Sequence, residues 1–397
     1  MKKKKRILLV IETSRGHGRN ILDGIASYVR EKGDWQLFFE DRGILQKPSK
    51  WFSTWHGDGI IARSIDKEVG DVLREKNLPL VELLGGGGAF HRDIYEDVDC
   101  LGELAVEHLW DCGLRNFAFF CTDNTAWSRR RGEAFRRRLL LRGSDCSFCP
   151  LPDPNVQDHF LDGLVQSADS FLVEWIKSLP KPVGILTAID IQAFYILTAC
   201  QAADIAVPEE VAILGCGNDA LVCSLLTPRL SSIDLNSRLL GYTAAQLLDD
   251  KMRSPGKTYP PIIYNPSHVI VRQSTDIIAI NDPDIAKAIR YIRDHFMDPI
   301  NINSIAESVA LTPRTLQRRF HDHLGRSPEA ELIRMRLNHA KYLLQSTNFA
   351  VAKISQQSGF ASPQYFMRAF RRELGLTPNQ YRQKNQVFLL ESPFHER

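Results

Sequence analysis

Two stretches near the C-terminus carry side chains suited to reading nucleic-acid bases. Arg314, Gln317 and Arg318 fall at i, i+3 and i+4. Gln364, Met367, Arg368 and Arg371 fall at i, i+3, i+4 and i+7. Such spacing places each set on one face of a helix. A guanidinium offers two donors to the O6 and N7 of guanine, and a carboxamide matches the N6 and N7 of adenine. A different face of each stretch is apolar: Leu316, Phe320 and Leu324 recur at every fourth position, as do Phe366, Phe370 and Leu374.

The local signals predict how these helices are held. Thr312 and Ser362 are good N-caps, and Pro313 and Pro363 follow at the first helical position, where a missing N–H does no harm. Gly325 and Gly375 are placed to end the helices. A short helix precedes each one, Ser304–Val309 and Lys353–Gln357, with tight turns near Ala310 and Gly359. The two stretches align at an offset of about 50 residues, so one helix-turn-helix unit occurs twice. Between the units, Ile333, Leu337, Ala340 and Leu344 share one face of a predicted helix over Glu329–Gln345. Its roughly 17 residues would span roughly 26 Å, which together with the units sets two recognition helices about one DNA turn apart.

In a lone helix the same arginines would read as a solvated face. Two matching units in a basic segment argue against that. Residues 284–397 hold 17 of the 50 Lys and Arg but only 10 of the 47 Asp and Glu, so the region is basic and the remainder slightly acidic. This division predicts a polyanion-binding module joined to a neutral one.

Other chemistries find little footing. There is no G-x-S-x-G, no HExxH and no paired-carboxylate signature, so no catalytic residues, cofactor or metal site are expected and an enzyme is not predicted. Cys146 and Cys149 form a CxxC with no second pair, and a zinc site needs four ligands. A DNA-repair alkyl acceptor would want cysteines near the DNA-reading region, and none of the eight lies beyond Cys223. Gly16-His17-Gly18 could hold an anion at a helix N-terminus but lacks the Lys-Ser/Thr of a P-loop. Met1–Arg6 is basic, yet the apolar run Ile7–Ile11 is too short for a signal peptide and no run approaches a membrane span. A secreted binding protein is therefore disfavoured, and a cytoplasmic protein with no membrane partner is expected.

At 397 residues, two or three domains are expected. From Ile7 to about Arg272, continuous apolar strands alternate with amphipathic helices: strands at Ile7–Ile11, Trp35–Phe39, Gly59–Ile61, Leu80–Leu84, Asn116–Cys121, Val183–Thr187, Val211–Leu214 and Val269–Val271, and helices at Arg19–Lys32, Lys67–Lys76, Leu101–Cys112, Arg131–Arg142, Ser170–Lys177, Ile191–Ala203 and Arg238–Lys251. That pattern predicts an α/β region of two lobes with parallel sheets, covering residues 1–275, with a ligand cleft beyond the carboxyl ends of the strands. The polar stretch 276–283 reads as a linker, residues 284–385 as an all-α tandem helix-turn-helix domain, and 386–397 as a tail. Gly85–Gly88 reads as a loop at the cleft edge.

The C-terminal pattern resembles the AraC/XylS family of transcription regulators. Arg336-Leu337, Ala340 and Leu343-Leu344 carry the resemblance, followed by Ile354, Gly359-Phe360, Tyr365-Phe366, Arg368-Ala369-Phe370-Arg371, Gly375, Thr377-Pro378 and Tyr381-Arg382. The resemblance implies binding to operator half-sites in double-stranded DNA, base reading by Arg314, Gln317, Arg318, Gln364, Met367 and Arg368, and phosphate contacts by Arg319, Arg371 and Arg372. It also implies a homodimer and contact with RNA polymerase. Ala310 stands where that family usually has Gly.

Residues 1–275 resemble the effector core of lactose-repressor-type regulators and periplasmic sugar-binding proteins, carried by Asp58-Gly59-Ile60-Ile61, Val207-Pro208-Glu209-Glu210-Val211, Leu226-Thr227-Pro228-Arg229 and Val271-Arg272-Gln273-Ser274-Thr275. Such a sensor ahead of an AraC-type module is the arrangement of xylose-operon activators, which implies a pentose effector, D-xylose first. By resemblance, Glu12 and Thr13 end the first strand at the cleft, Arg131 grips sugar hydroxyls, and Asp190 follows the first strand of the second lobe; Gly217 stands where the family has a ligand-binding Asp, so either Asn218 or Asp219 substitutes for it or the effector is changed or lost. Trp127 would wall a sugar face. Asp190 as a helix N-cap and Trp127 as plain packing are the alternatives.

Overall fold

A computed structural model describes residues 4–32, 35–39, 51–63, 67–83, 93–122, 125–150, 171–277, 282–347 and 349–385. The glycine run 85–88, residues 278–281 of the expected linker and the expected tail 386–397 lie outside them.

The first lobe contains β1 (Lys5–Val10), α1 (Gly16–Lys32), β2 (Trp35–Phe39), α2 (Trp51–Thr54), β3 (Gly59–Arg63), α3 (Lys67–Glu75), β4 (Leu80–Leu83) and β5 (Ile94–Glu96). The chain then enters the second lobe with α4 (Val98–Asp111), β6 (Asn116–Phe120), α5 (Ala126–Leu140), β7 (Cys146–Phe148), α6 (Phe171–Ser178), β8 (Val183–Thr187), α7 (Ala193–Ala202), β9 (Val211–Cys216), α8 (Ala220–Leu225) and β10 (Ser231–Asp234). It returns to the first lobe for α9 (Ser237–Arg253) and β11 (Ile262–Tyr264), and crosses once more for β12 (His268–Ile270). Among the described residues this makes two six-stranded sheets, ordered β11-β5-β4-β3-β1-β2 and β12-β10-β9-β8-β6-β7.

The continuous apolar run of β1 has a simple cause. Ile7 and Leu9 face a core shared with Ile21 and Ile25 of α1, while Leu8 and Val10 face a second core with Ile60 and Leu73. Alternate side chains of a strand point to opposite faces, so a strand covered on both sides must be apolar throughout. α1 and α9 approach closely because a Cβ on Gly24 would fall 2.0 Å from the carbonyl oxygen of Arg238, and one on Gly241 would fall 1.9 Å from that of Ile21.

Three readings need correction. The sheets are parallel except at one edge, where β12 runs antiparallel to β10. The helix read as part of a repeated second half, Arg238–Lys251, belongs to α9 and packs on α1 in the first lobe. The three-residue strands β5, β7 and β11, the four-residue β10 and the short α8 are too brief to leave a periodic signal.

The C-terminal region is helical throughout: α10 (Pro283–His295), α11 (Ile302–Ser308), α12 (Pro313–Leu324), α13 (Pro328–Ser346), α14 (Val351–Gln357), α15 (Pro363–Leu374) and α16 (Pro378–Asn385). Asp282 caps α10 by accepting from the backbone N–H groups of Asp284 and Ile285. Leu316, Phe320 and Leu324 of α12 pack with α10 and α11 in one core. Phe366 and Phe370 of α15 pack with α13 and α14 in another. α13 serves both, giving Leu332 to the first and Leu337, Ala340 and Leu344 to the second. Its 19 residues make a rod of about 28 Å.

Candidate nucleic-acid interface and ligand cleft

The two DNA-reading candidates are built alike. The Thr312 hydroxyl accepts from the N–H of Thr315, the Ser362 hydroxyl from that of Tyr365, and Gly325 and Gly375 end their helices with left-handed φ of 69° and 68°. The turns before them differ. Gly359 has φ 76°, and a Cβ there would lie 2.4 Å from the carbonyl oxygen of Phe296. At the matching turn Ala310 takes φ 54° without being glycine, so the first turn carries the strain of a side chain in the left-handed region.

Arg314, Gln317 and Arg318 on α12 and Gln364, Met367, Arg368, Arg371 and Arg372 on α15 are exposed. Among the described residues, no ion pair engages Arg314, Arg318, Arg368 or Arg371. Gln317 donates to Glu329 at 3.2 Å, and Arg372 pairs with its neighbour Glu373 at 2.8 Å. Arg319 departs from expectation. It makes a two-bond pair with Asp282 and a further bond to Asp284 at 3.1 Å. Its guanidinium therefore ties the first turn of α10 to α12 instead of standing free for a phosphate.

The second site lies at the carboxyl ends of the strands, where the lobes face each other. Glu12 follows β1 and is buried. Its carboxylate pairs with Arg63 at the end of β3. Thr13 is half-buried, and its carbonyl accepts from Arg19 at 2.8 Å. Arg131 on α5 is buried and reaches across the cleft to Glu96, with bonds of 3.0 and 2.7 Å, while a third nitrogen donates to the Ala188 carbonyl at 2.7 Å. Trp127, one turn earlier, lies under that guanidinium at 5.3 Å and packs on the second-lobe core.

Asp190 is not an N-cap. Its carboxylate accepts from the Ser232 hydroxyl at 2.5 Å and from the N–H of Asp219 at 2.7 Å. Burial pushes its pKa up to about 6 despite those two donors. Asn218 points away from the role expected of it: its side chain donates to Asp234 at 3.2 Å and accepts from Arg272 at 2.9 Å. Asp219 instead crosses to the first lobe, where its carboxylate accepts from the N–H of Gly16 at 2.7 Å and pairs with Arg19 at 3.2 Å. The start of α1, which could hold an anion, is thus met by a carboxylate of the protein itself.

Several cleft residues were not foreseen. His17 is buried, with Nδ1 2.5 Å from the Ser237 hydroxyl, and burial, then Arg63 and Arg131, hold its pKa well below the ordinary range. Tyr264 of β11 is raised by burial and by Glu96. Among the described residues, His17 Nε2, Arg63 Nε and the Tyr264 hydroxyl have no hydrogen-bond partner. Arg63 had one legible signal. β3 lies beside β1 in register, Ala62 against Val10, so the residue after it had to stand next to the end of β1. Glu96 and Tyr264 lie on strands too short to be read.

Comparison with known proteins finds relatives of both regions of the chain. Residues 6–101 match the XylR N-terminal domain, residues 106–275 a periplasmic binding protein-like domain, and residues 305–384 a helix-turn-helix domain. The xylose operon regulatory protein of Escherichia coli K12 is 29% identical over 98% of this chain and 99% of its own. That of Haemophilus influenzae is 29% identical over 95% of this chain and 98% of its own. The solved structure of the xylose-binding transcription activator XylR superimposes with a TM-score of 0.58 at 28% identity, covering 97% of this chain and 100% of that one. With a two-lobed sensor and a tandem helix-turn-helix region matched in the same order along the chain, the protein has the make-up of the xylose operon regulators it resembles, a XylR-type, periplasmic-binding-protein-like region followed by a helix-turn-helix DNA-binding domain.

Proposed function

We propose that the cleft binds a pentose, D-xylose, and that the sugar switches binding of α12 and α15 to operator half-sites. The observation that carries the reading is the pairing of acids with arginines at the cleft, buried Glu12 with Arg63 and Glu96 with buried Arg131, beside the partnerless His17 Nε2 and Tyr264 hydroxyl. Sugar hydroxyls both donate and accept, and such a set offers each a partner, with Trp127 against a ring face. The resemblance to xylose operon regulators supports the same ligand.

In this reading Arg131 and Asp190 are the main ligand contacts, with Glu12, Thr13 and Asp219 around them and Asn218 supporting the loop behind. Arg314, Gln317, Arg318, Gln364, Met367 and Arg368 read bases, Arg371 and Arg372 meet phosphates, and Arg319 braces the domain. The domain division is 1–275 for the sensor, 276–283 for the linker, 284–385 for the DNA-binding domain and 386–397 for the tail. The protein acts in the cytoplasm as a non-enzymatic homodimeric activator that contacts RNA polymerase.

A second reading, the same architecture with a different effector, is favoured by Gly217, which removes an acid from the cleft rim. Calorimetric titration with D-xylose, other pentoses, hexoses and a phosphorylated sugar separates the two. Saturable heat with D-xylose, lost in Arg131→Ala and Asp190→Ala, is the expected result. Saturation by another sugar alone gives the second reading, and silence with every sugar overturns the pentose assignment.

A further inference from the structure

We infer that α4 carries the state of the cleft to the DNA-binding region and that Asp111 is the residue through which it acts. This inference rests on the reading of the cleft as the sensor site.

The first end of α4 is fixed to the cleft. Glu96, in the two-bond pair with Arg131, is followed directly by Asp97, whose carboxylate caps α4 by accepting from the N–H of Cys100 at 2.8 Å. The N–H of Asp97 donates to the Tyr264 carbonyl at 3.0 Å. A change at Glu96 therefore reaches the helix with a single residue between them. The 14 residues of α4 then form a rod of about 21 Å.

Asp111, the last residue of that rod, is 8% exposed and grips the DNA-binding region with both oxygens. One pairs with Arg326 at 2.6 Å and the other with Arg334 at 2.7 Å. Glu331, buried on α13, holds the same two arginines at 2.6 and 2.7 Å. Two buried carboxylates and two half-buried guanidiniums thus form a closed cluster, and loss of one member leaves a buried carboxylate short of a partner. Its location matters as much as its strength. Arg326 follows Gly325, where α12 ends, and Ser327 caps α13. The cluster therefore holds the joint between the first recognition helix and the rod that carries the second unit.

The surrounding contacts are longer: Arg293 of α10 pairs with Asp276 at 3.5 Å and donates to the Cys112 sulfur at 3.8 Å. Arg115 donates to the His323 carbonyl at 3.4 Å, and the His268 ring of β12 meets Tyr342 at 5.3 Å. Beside the cluster, between α4 and α13, lies a cavity of about 380 Å³ with Glu107 and Lys341 in its wall. The joint is held most tightly at this cluster, with room next to it, which suits a part that must move.

The test is hydrogen–deuterium exchange on the full chain, comparing wild type, Glu96→Gln, Asp111→Asn and the double variant, with no ligand required. Glu96→Gln is expected to speed exchange several-fold both in residues 98–111 and in residues 326–346. In Asp111→Asn, residues 326–346 are already fast, and adding Glu96→Gln accelerates residues 98–111 alone. Residues 326–346 unmoved by Glu96→Gln, or two effects that simply multiply, overturn the inference. Should Asp111→Asn fail to fold, Arg334→Lys replaces it, keeping the charge while removing the second donor. D-xylose calorimetry on wild type separates the two readings: no sugar heat with coupled exchange defeats the ligand assignment alone, and sugar heat with uncoupled exchange defeats the route through Asp111.

Discussion

A side-chain carbon at position 217 would stand 3.1 Å from the Oδ2 of Asp190, on a backbone with φ of 127°. The two positions thus share one space, and the buried acid of Asp190 occupies it. Non-glycine residues pay about 1–3 kcal/mol for such backbone. Gly217→Ala is expected to lose that much in urea unfolding. Gly217→Asp is expected to lose more, because a second carboxylate would sit against the first.

Asp190 also gives the protein a pH signature. Its folded pKa of about 6 exceeds the ordinary 3.8, so the folded state holds the proton more tightly than the unfolded chain. Stability from this group is greatest below about pH 4 and declines as pH rises to about 6, by about 3 kcal/mol. In Asp190→Asn this decline is expected to vanish from unfolding curves taken across that window.

Free and engaged arginines are expected to behave differently on DNA. Alanine at Arg314, Arg318 or Arg368 should weaken binding by about 1–3 kcal/mol and relax preference at one base pair. Arg371→Ala should weaken all sequences alike and reduce the salt dependence. Arg319→Ala should lower thermal stability instead, since it unpairs Asp282. Anisotropy titrations on a site selected from random DNA, at several salt concentrations, check the binding effects, and thermal unfolding checks Arg319→Ala.

The two turns predict opposite outcomes for exchange of the same two residues. Ala310→Gly relieves a left-handed alanine and is expected to raise stability by up to about 1 kcal/mol. Gly359→Ala adds the clash with the Phe296 carbonyl to the same backbone strain and is expected to lose several times that. Thermal unfolding of the two variants gives the comparison.

Local rules made the recognition helices legible. Thr312-Pro313 and Ser362-Pro363 start them, glycines stop them, and the four-residue apolar spacing orients them, all within a dozen residues. The cleft was legible only where it touched long strands. Glu12 could be placed at the end of β1, but its partner Arg63 comes from a neighbouring strand, and Glu96 from a strand of three residues with no period of its own. Asn218 and Arg319 show the converse limit. Residue type and position suited the expected roles, yet Asp234, Arg272 and Asp282, remote in sequence or on another element, claimed their hydrogen bonds first.

The three passages of the chain between the sensor lobes have a consequence for how this molecule can be divided. Neither lobe is one continuous stretch of sequence: α9 and β11 complete the first lobe after the second has been laid down, and β12 completes the second after both. No single break in the gene yields a whole lobe. The helical region follows once, at the end, through one short segment. The only division that leaves every core intact among the described residues lies there, so this is where a reading head could be exchanged for another, or a sensor transplanted, as one piece.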